Sequence, residues 1–278
     1  MRLGVHLPQY GHASGPDEIH RAARQAEDLG FSDVWVYDHL AVPASMSYPV
    51  AFTYEPLITL TWAAAVTNRV GLGTSILVLP YRHPVTLAKM IASIDRLSGG
   101  RMILGAGCGW LREEFDVLGV PFEQRGALTD EAIDFLRACW EGTQPMSFEG
   151  PSLKVEEMKI VPQPAHRIPI WVGGTSAAAL RRAATRGDGW QGAFVDAAQV
   201  PELVKRLREL RSPERDPLAL SMRVEWDGLE VPAAELQQRA HELAQAGIEH
   251  LMVAPSQRDI DSWCRSVDAL WGALSAVG

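Results

Sequence analysis

At positions 37–40 the sequence reads YDHL, which sets His39 directly after Asp38. Imidazole exchanges a proton near neutral pH and has two usable ring nitrogens, so His39 suits a group that gives a proton or a hydrogen bond to a bound molecule. Asp38 could set its tautomer or face the ligand itself; on spacing alone, an Asp–His capping pair on a loop is the simpler account. VGGTSAAA at 172–179 is a second candidate. Gly173 and Gly174 leave a strand, Thr175 or Ser176 caps the next helix, and the free N–H groups with the positive helix end make a site suited to phosphate. The same letters also spell an ordinary capped helix.

A third run, Gly105-Ala106-Gly107-Cys108-Gly109-Trp110, ends a strand in glycines, which lets a flat ligand approach the backbone. It is not a dinucleotide fingerprint, because the following LREEF lacks the third glycine. Cys108 has no basic cluster in sequence to activate its thiol and reads as a small pocket-lining residue, with Trp110 as a pocket wall. Glu113, Glu114 and Arg125 read as helix-start charges and a stabilising pair.

These residues need elements to position them, and the periodicity supplies them. Strands are expected near 2–7, 33–37, 70–77, 101–106, 168–173, 189–194, 218–226 and 250–254. Helices are expected near 16–29, 55–68, 84–97, 111–118, 126–141, 176–187, 197–210, 232–246 and 257–274. Eight strands alternating with helices in 278 residues fit a (β/α)8 TIM barrel, one domain over 1–278, better than an open sheet. A proline-closed β excursion over 142–167 is a small insertion between strands four and five. In such barrels the working residues sit at the C-terminal strand ends, which gathers His6, Gln9, Asp38, His39, Thr74, Ser75, the 105–110 run, 173–176 and Trp190 to Phe194 at one mouth. Tyr48, Phe52 and Tyr54 are expected over the same mouth. Arg223 and Glu225 on the seventh strand read as a paired interior charge, since unpaired burial is costly.

Composition narrows the class. A net charge of −8 spread along the chain argues against a nucleic-acid or anionic-membrane surface, both of which need clustered Lys and Arg. The start, Leu3-Gly4-Val5-His6-Leu7, is strand-like, so no secretory leader is expected. The apolar run 57–66 is too short to span a bilayer. Cysteines at 108, 139 and 264 form neither a disulfide framework nor a metal site, a cytoplasmic pattern with no metal expected.

The run from Arg82 to Arg125, with YDHL and IWVGGTS at 170–176, resembles the bacterial luciferase-like flavin and deazaflavin oxidoreductases, and among them the branch that uses coenzyme F420. The resemblance extends from GVHLPQYG at 4–11 to RRAATRGDGW at 181–190 and thins after about 196. It implies a barrel enzyme, often a homodimer, that binds F420, or alternatively FMN, and transfers a hydride to or from a hydrophobic small molecule; FMN members instead act as monooxygenases. A cofactor-binding barrel without turnover is a further alternative. The resemblance also implies a cis peptide at Ser75–Ile76 behind the cofactor ring and a catalytic His39. Asp38, His39, Thr74, Ser75, Ile76, Gly105, Gly107, Gly173, Gly174, Thr175, Ser176 and Trp190 would contact the cofactor, and Phe52, Tyr54, Cys108 and Trp110 the substrate. The F420-dependent sugar-phosphate dehydrogenases have a carboxylate where Cys108 stands and a tryptophan where Pro43 stands, so glucose-6-phosphate oxidation is not expected here.

Overall fold

The structure, a computed structural model, describes residues 1–50, 52–256 and 258–277. In chain order the strands are β1 (Arg2–His6), β2 (Asp33–Val36), β3 (Gly71–Thr74), β4 (Leu77–Val78), β5 (Met102–Gly107), β6 (Met146–Glu149), β7 (Lys154–Met158), β8 (Ile170–Gly173), β9 (Gly189–Ala193), β10 (Ala219–Val224) and β11 (His250–Val253). The α-helices are α1 (Pro16–Leu29), α2 (Pro56–Ala64), α3 (Pro84–Ser98), α4 (Arg112–Leu118), α5 (Arg125–Glu141), α6 (Ala177–Arg186), α7 (Val200–Leu210), α8 (Ala233–Gln245) and α9 (Ile260–Leu274). The expected start of the last helix at 257 lies outside the described residues.

β1 pairs in parallel with β2 and β11, and the chain of pairings closes where Leu72 and Gly73 of β3 meet Met102 and Ile103 of β5. The result is a closed (β/α)8 barrel whose third strand is β3 continued as β4. β6 and β7 form the small antiparallel hairpin of the expected insertion. α1 matches its expected span because Gly30 stops it in the left-handed region at φ 103°, where glycine carries no Cβ penalty.

Strand alternation sorts two cores. Leu3, Val5, Val34, Val36, Leu72, Leu104, Ile170, Val172, Leu251 and Val253 pack outward against the helices. Trp35, Trp171 and Met252 form a separate cluster inside the barrel. Glycines make room for it: a Cβ at Gly73 would come within 2.3 Å of the Trp35 ring, and one at Gly189 within 2.6 Å of Trp171. Beside them lies a buried polar network. Asp33 accepts hydrogen bonds from the Trp35 indole and from His250 Nε2 at 2.8 Å, while Ser32 Oγ donates to its second oxygen at 2.7 Å. Ser221 Oγ lies 2.7 Å from His250 Nδ1. Burial alone would raise the Asp33 pKa; the charge and hydrogen bond of His250, with those of Ser32 and Trp35, outweigh it and hold the carboxyl below its ordinary range.

Candidate functional site

At the C-terminal ends of the strands lies a cavity of about 530 Å³. One wall is smooth and apolar. The Ser75–Ile76 peptide between β3 and β4 is cis. The Ile76 side chain fills the space that side chains on β5 and β8 would need: a Cβ at Gly107 would sit 2.5 Å from its Cδ1, and one at Gly173 2.6 Å from its Cγ2. Ser75, Ile76, Gly107 and Cys108 all line the cavity. Thr74 and Gly105 do not, contrary to the sequence expectation. Thr74 is fully buried and its hydroxyl donates to the Gly105 carbonyl at 2.8 Å, so the two lock β3 to β5 beneath the cavity.

His39 lines the same cavity, and its partner is not Asp38. His39 Nδ1 is 2.7 Å from Glu114 Oε2, across 75 residues of sequence. Glu114, on α4 and fully buried, also accepts from Leu40 N at 2.6 Å, from Ala41 N at 3.0 Å and from the Tyr81 hydroxyl at 3.0 Å. Burial would push its pKa up, but the hydrogen bonds from His39, Ala41 and Leu40 hold it below the ordinary carboxylate range. An ionised Glu114 only accepts, so Nδ1 carries a proton and Nε2 is the nitrogen left for the cavity. The reading of Glu114 as a helix-start charge is therefore corrected. A signal was present: position 114 is three after Leu111 and beside Phe115, both of which are buried.

Asp38 also lines the cavity, but its hydrogen bonds go elsewhere. Arg82 grips its two oxygens at 2.6 and 2.9 Å, Val78 N donates at 2.9 Å, and Arg82 also reaches Glu55 at 2.6 Å. Asp38 thus fixes the start of β4 after the cis peptide and does not set the His39 tautomer.

Beyond β8, Gly174 has φ 113° and Ser176 caps α6, its hydroxyl accepting from Ala179 N at 3.2 Å; Thr175 is exposed and does not serve as the cap. Gly173, Gly174 and Ser176 line the cavity with Arg125 and Arg182, while Thr175 does not. Trp190 packs into the outer core and donates to the Gly174 carbonyl at 2.8 Å, supporting the turn from behind.

Aromatic placement also differs from expectation. Trp110 is half-exposed and meets His39 edge-on, with ring centroids 5.9 Å apart. Of the loop aromatics, Tyr48 lines the cavity, whereas Phe52 and Tyr54 do not. Tyr54 instead borders an apolar groove with Ile19, Ile58 and Trp62. Gln9 explains why: its side-chain amide donates to the Tyr37 and Tyr54 carbonyls at 3.0 and 2.9 Å, which pins Tyr54 at the edge of the barrel. Sequence reasoning missed Tyr37, Arg125 and Arg182 as cavity residues and left Arg223 as one half of an interior pair; all four line the cavity, together with Gln191 and Phe194 from the strand end expected at the mouth. Among the described residues no cluster of His, Cys, Asp and Glu could hold a metal ion, and no helix is long and apolar enough to cross a membrane.

A family model described as luciferase-like monooxygenase matches residues 1–268. The chain is 31% identical over 183 residues to an F420-dependent glucose-6-phosphate dehydrogenase of Amycolatopsis mediterranei, an alignment covering 63% of this chain and 53% of that relative. Among solved structures, the monooxygenase RslO1 from Streptomyces bottropensis superposes with a TM-score of 0.84 at 19% identity, over 99% of each chain. An F420-dependent secondary alcohol dehydrogenase in complex with an F420-acetone adduct gives 0.82 at 20% identity, over 100% of this chain and 99% of that one. Identities this low show the shared fold alone.

Proposed function

The chain belongs to the luciferase-like monooxygenase family, and from that premise we propose that it is a single-domain F420-dependent oxidoreductase acting on a small, largely apolar molecule. The observation that carries this reading is the pairing of a flat apolar wall, Ile76 packed into Gly107 and Gly173, with a proton-bearing group, His39 held by Glu114, across one cavity. A planar ring fits such a wall because no Cβ projects from Gly107 or Gly173 to hold it off. The relative named for its F420 dependence, at 31% identity, favours F420 over FMN.

In this reading Ser75, Ile76 and Gly107 back the ring, and Gly173, Gly174 and Ser176 receive a phosphate through backbone N–H groups at the α6 N-terminus. F420 supplies two-electron hydride transfer when bound. His39 holds or moves a proton at Nε2 beside the reacting atoms, with Glu114 fixing the ring orientation through Nδ1. Trp110, Cys108 and Tyr48 wall the substrate space and exclude water. The sugar-phosphate substrate of the relative is not carried over, because Cys108 and Pro43 stand where those dehydrogenases have a carboxylate and a tryptophan.

The test is to titrate the purified protein with oxidised F420 and with FMN and follow fluorescence quenching. F420 is expected to bind with Kd below about 10 μM and FMN at least about tenfold more weakly. The reverse order would replace this reading with an FMN-dependent monooxygenase. F420 binding with no turnover of any quinone, enone, ketone or aldehyde acceptor would replace it with a cofactor-binding protein.

A further inference from the structure

Among the described residues, three buried polar atoms without a hydrogen-bond partner belong to side chains that line the cavity, both amide atoms of Gln191 and Arg223 Nε, and a fourth, His6 Nε2, belongs to a ring 5.5 Å from that of the lining residue Tyr37. They come from β1, β9 and β10, and Gln191 is the registered neighbour of Gly173 on β8. Buried polar atoms are rarely left unpaired, so two such side chains lining one cavity point to a ligand. His6 Nδ1 is 2.9 Å from the Leu7 carbonyl, which can only accept, so the proton sits on Nδ1 and Nε2 is a bare acceptor. Burial first, and Arg223 second, lower the His6 pKa to about 3, so His6 adds no charge.

Arg223 is the cation at this floor, with its side chain 11% exposed. It gives one amino group to Glu225 at the exposed rim, 3.1 Å away, and its guanidinium lies 5.4 Å from the Phe194 ring centroid. Phe194 is held at φ 55°, a region that bulky residues rarely adopt, and bulky residues held there cluster at ligand clamps. The other guanidiniums lining the cavity belong to its phosphate end and are engaged locally: Arg182 with Asp130 at 2.6 Å, Arg125 with the Phe122 carbonyl at 2.9 Å.

We propose that Arg223 anchors a carboxylate on the substrate, with the Gln191 amide as second donor and Phe194 and Trp110 covering an apolar body. This rests on the reading of the cavity as an oxidoreductase site. A neutral carbonyl would leave the half-compensated guanidinium without its best partner, since charge-assisted bonds to carboxylate are roughly twice as strong as neutral ones. A dianionic phosphate would meet the charge already supplied by Glu225. A singly charged acid completes the pairing.

The proposal is tested by isothermal titration of 3-phenylpropionate and 3-phenylpropanamide into the protein saturated with whichever of F420 and FMN it binds. The acid is expected to bind at least about tenfold more tightly than the amide to the wild type, with that preference abolished in Arg223→Gln and kept in weaker form in Arg223→Lys. Cofactor affinity should stay within about twofold in both variants. Equal binding of the two probes, or no acid binding at about 10 mM, overturns the proposal. So does an acid preference that survives in Arg223→Gln, or a loss of cofactor affinity in its place, which would assign Arg223 to the cofactor. Because the readout is probe binding with either cofactor loaded, a failed F420 assignment leaves the comparison intact.

Discussion

Toward the N-terminal ends of the barrel strands, Asp33 is bonded by Trp35, His250 and Ser32, and His250 turns its second nitrogen to Ser221. Further along the same interior, Gln191, His6 and Arg223 keep polar atoms that meet no partner among the described residues. Both clusters are buried, and both set histidine among polar side chains. What separates them is satisfaction. The lower cluster is closed upon itself and serves the fold, and a Cβ at Gly4 would already press to 2.1 Å from the Asp33 carboxylate. The upper cluster withholds its bonding capacity from the fold, which destabilises the free protein and leaves that capacity for something that enters.

The largest expected effect comes from breaking the closed cluster. Asp33→Ala strands the Trp35 indole and His250, and should cost about 3–5 kcal/mol, the range for removing one partner of a buried pair. Urea denaturation monitored by tryptophan fluorescence would show it. A loss below about 1 kcal/mol would mean that the lower network is no more integral than the upper one.

Next in size is Glu114→Gln, which tests whether the mouth is tuned for chemistry. The amide cannot compel His39 Nδ1 to keep its proton, and we expect kcat to fall by roughly 10- to 100-fold, about 1.4–2.7 kcal/mol, with cofactor affinity within about twofold. Steady-state kinetics and a cofactor titration on the one variant separate this outcome from a structural defect, which would lower both.

A smaller change of opposite sign is expected at the floor of the cavity. Gln191→Met replaces two unpaired polar atoms by apolar ones of similar volume and should raise the stability of the ligand-free protein by about 1 kcal/mol. Thermal denaturation without cofactor would register it. If the variant is destabilised instead, Gln191 is part of the scaffold and the contrast between the two clusters disappears.

The smallest effect is in pH. Asp33 and Glu114 are held below their ordinary pKa in the folded protein. Each therefore contributes stability that is full above the unfolded carboxylate value of about 4 and is lost as pH falls through the folded value. Asp33→Asn should be less stable than the wild type at pH 7, with the gap narrowing by on the order of 1 kcal/mol below about pH 4. A gap that stays constant in acid would place the Asp33 contribution in packing, not in charge.

Much of the scaffold was legible because periodicity and punctuation are local. Pro16 to Gly30 spells a helix from end to end. The departures trace to contacts made across the sequence. The second helix was expected to run to 68 but stops at Ala64, where the chain is drawn away by Glu27, whose carboxylate accepts from the backbone of Asn68, Arg69 and Val70. The third strand, read as one run, divides at Ser75–Ile76, and Asp38 holds the second piece. In the site, His39 was found by residue type, but its partner was assigned by adjacency, and a turn of the chain points Asp38 elsewhere. Glu113 and Glu114 look alike in sequence, and burial alone tells them apart. Gln191 and Arg223 were expected to face the barrel, but their want of partners was not legible, since that depends on contacts between strands.

Glu114 reaches back from α4 to hold His39, Leu40 and Ala41 by side chain and backbone together. The described residues that follow, 42–50 and 52–54, have no part in that grip. On the proposed reading, changes within 42–50 can reshape the substrate space beside Tyr48, and so retarget the enzyme to new molecules, while Glu114 keeps His39 in place.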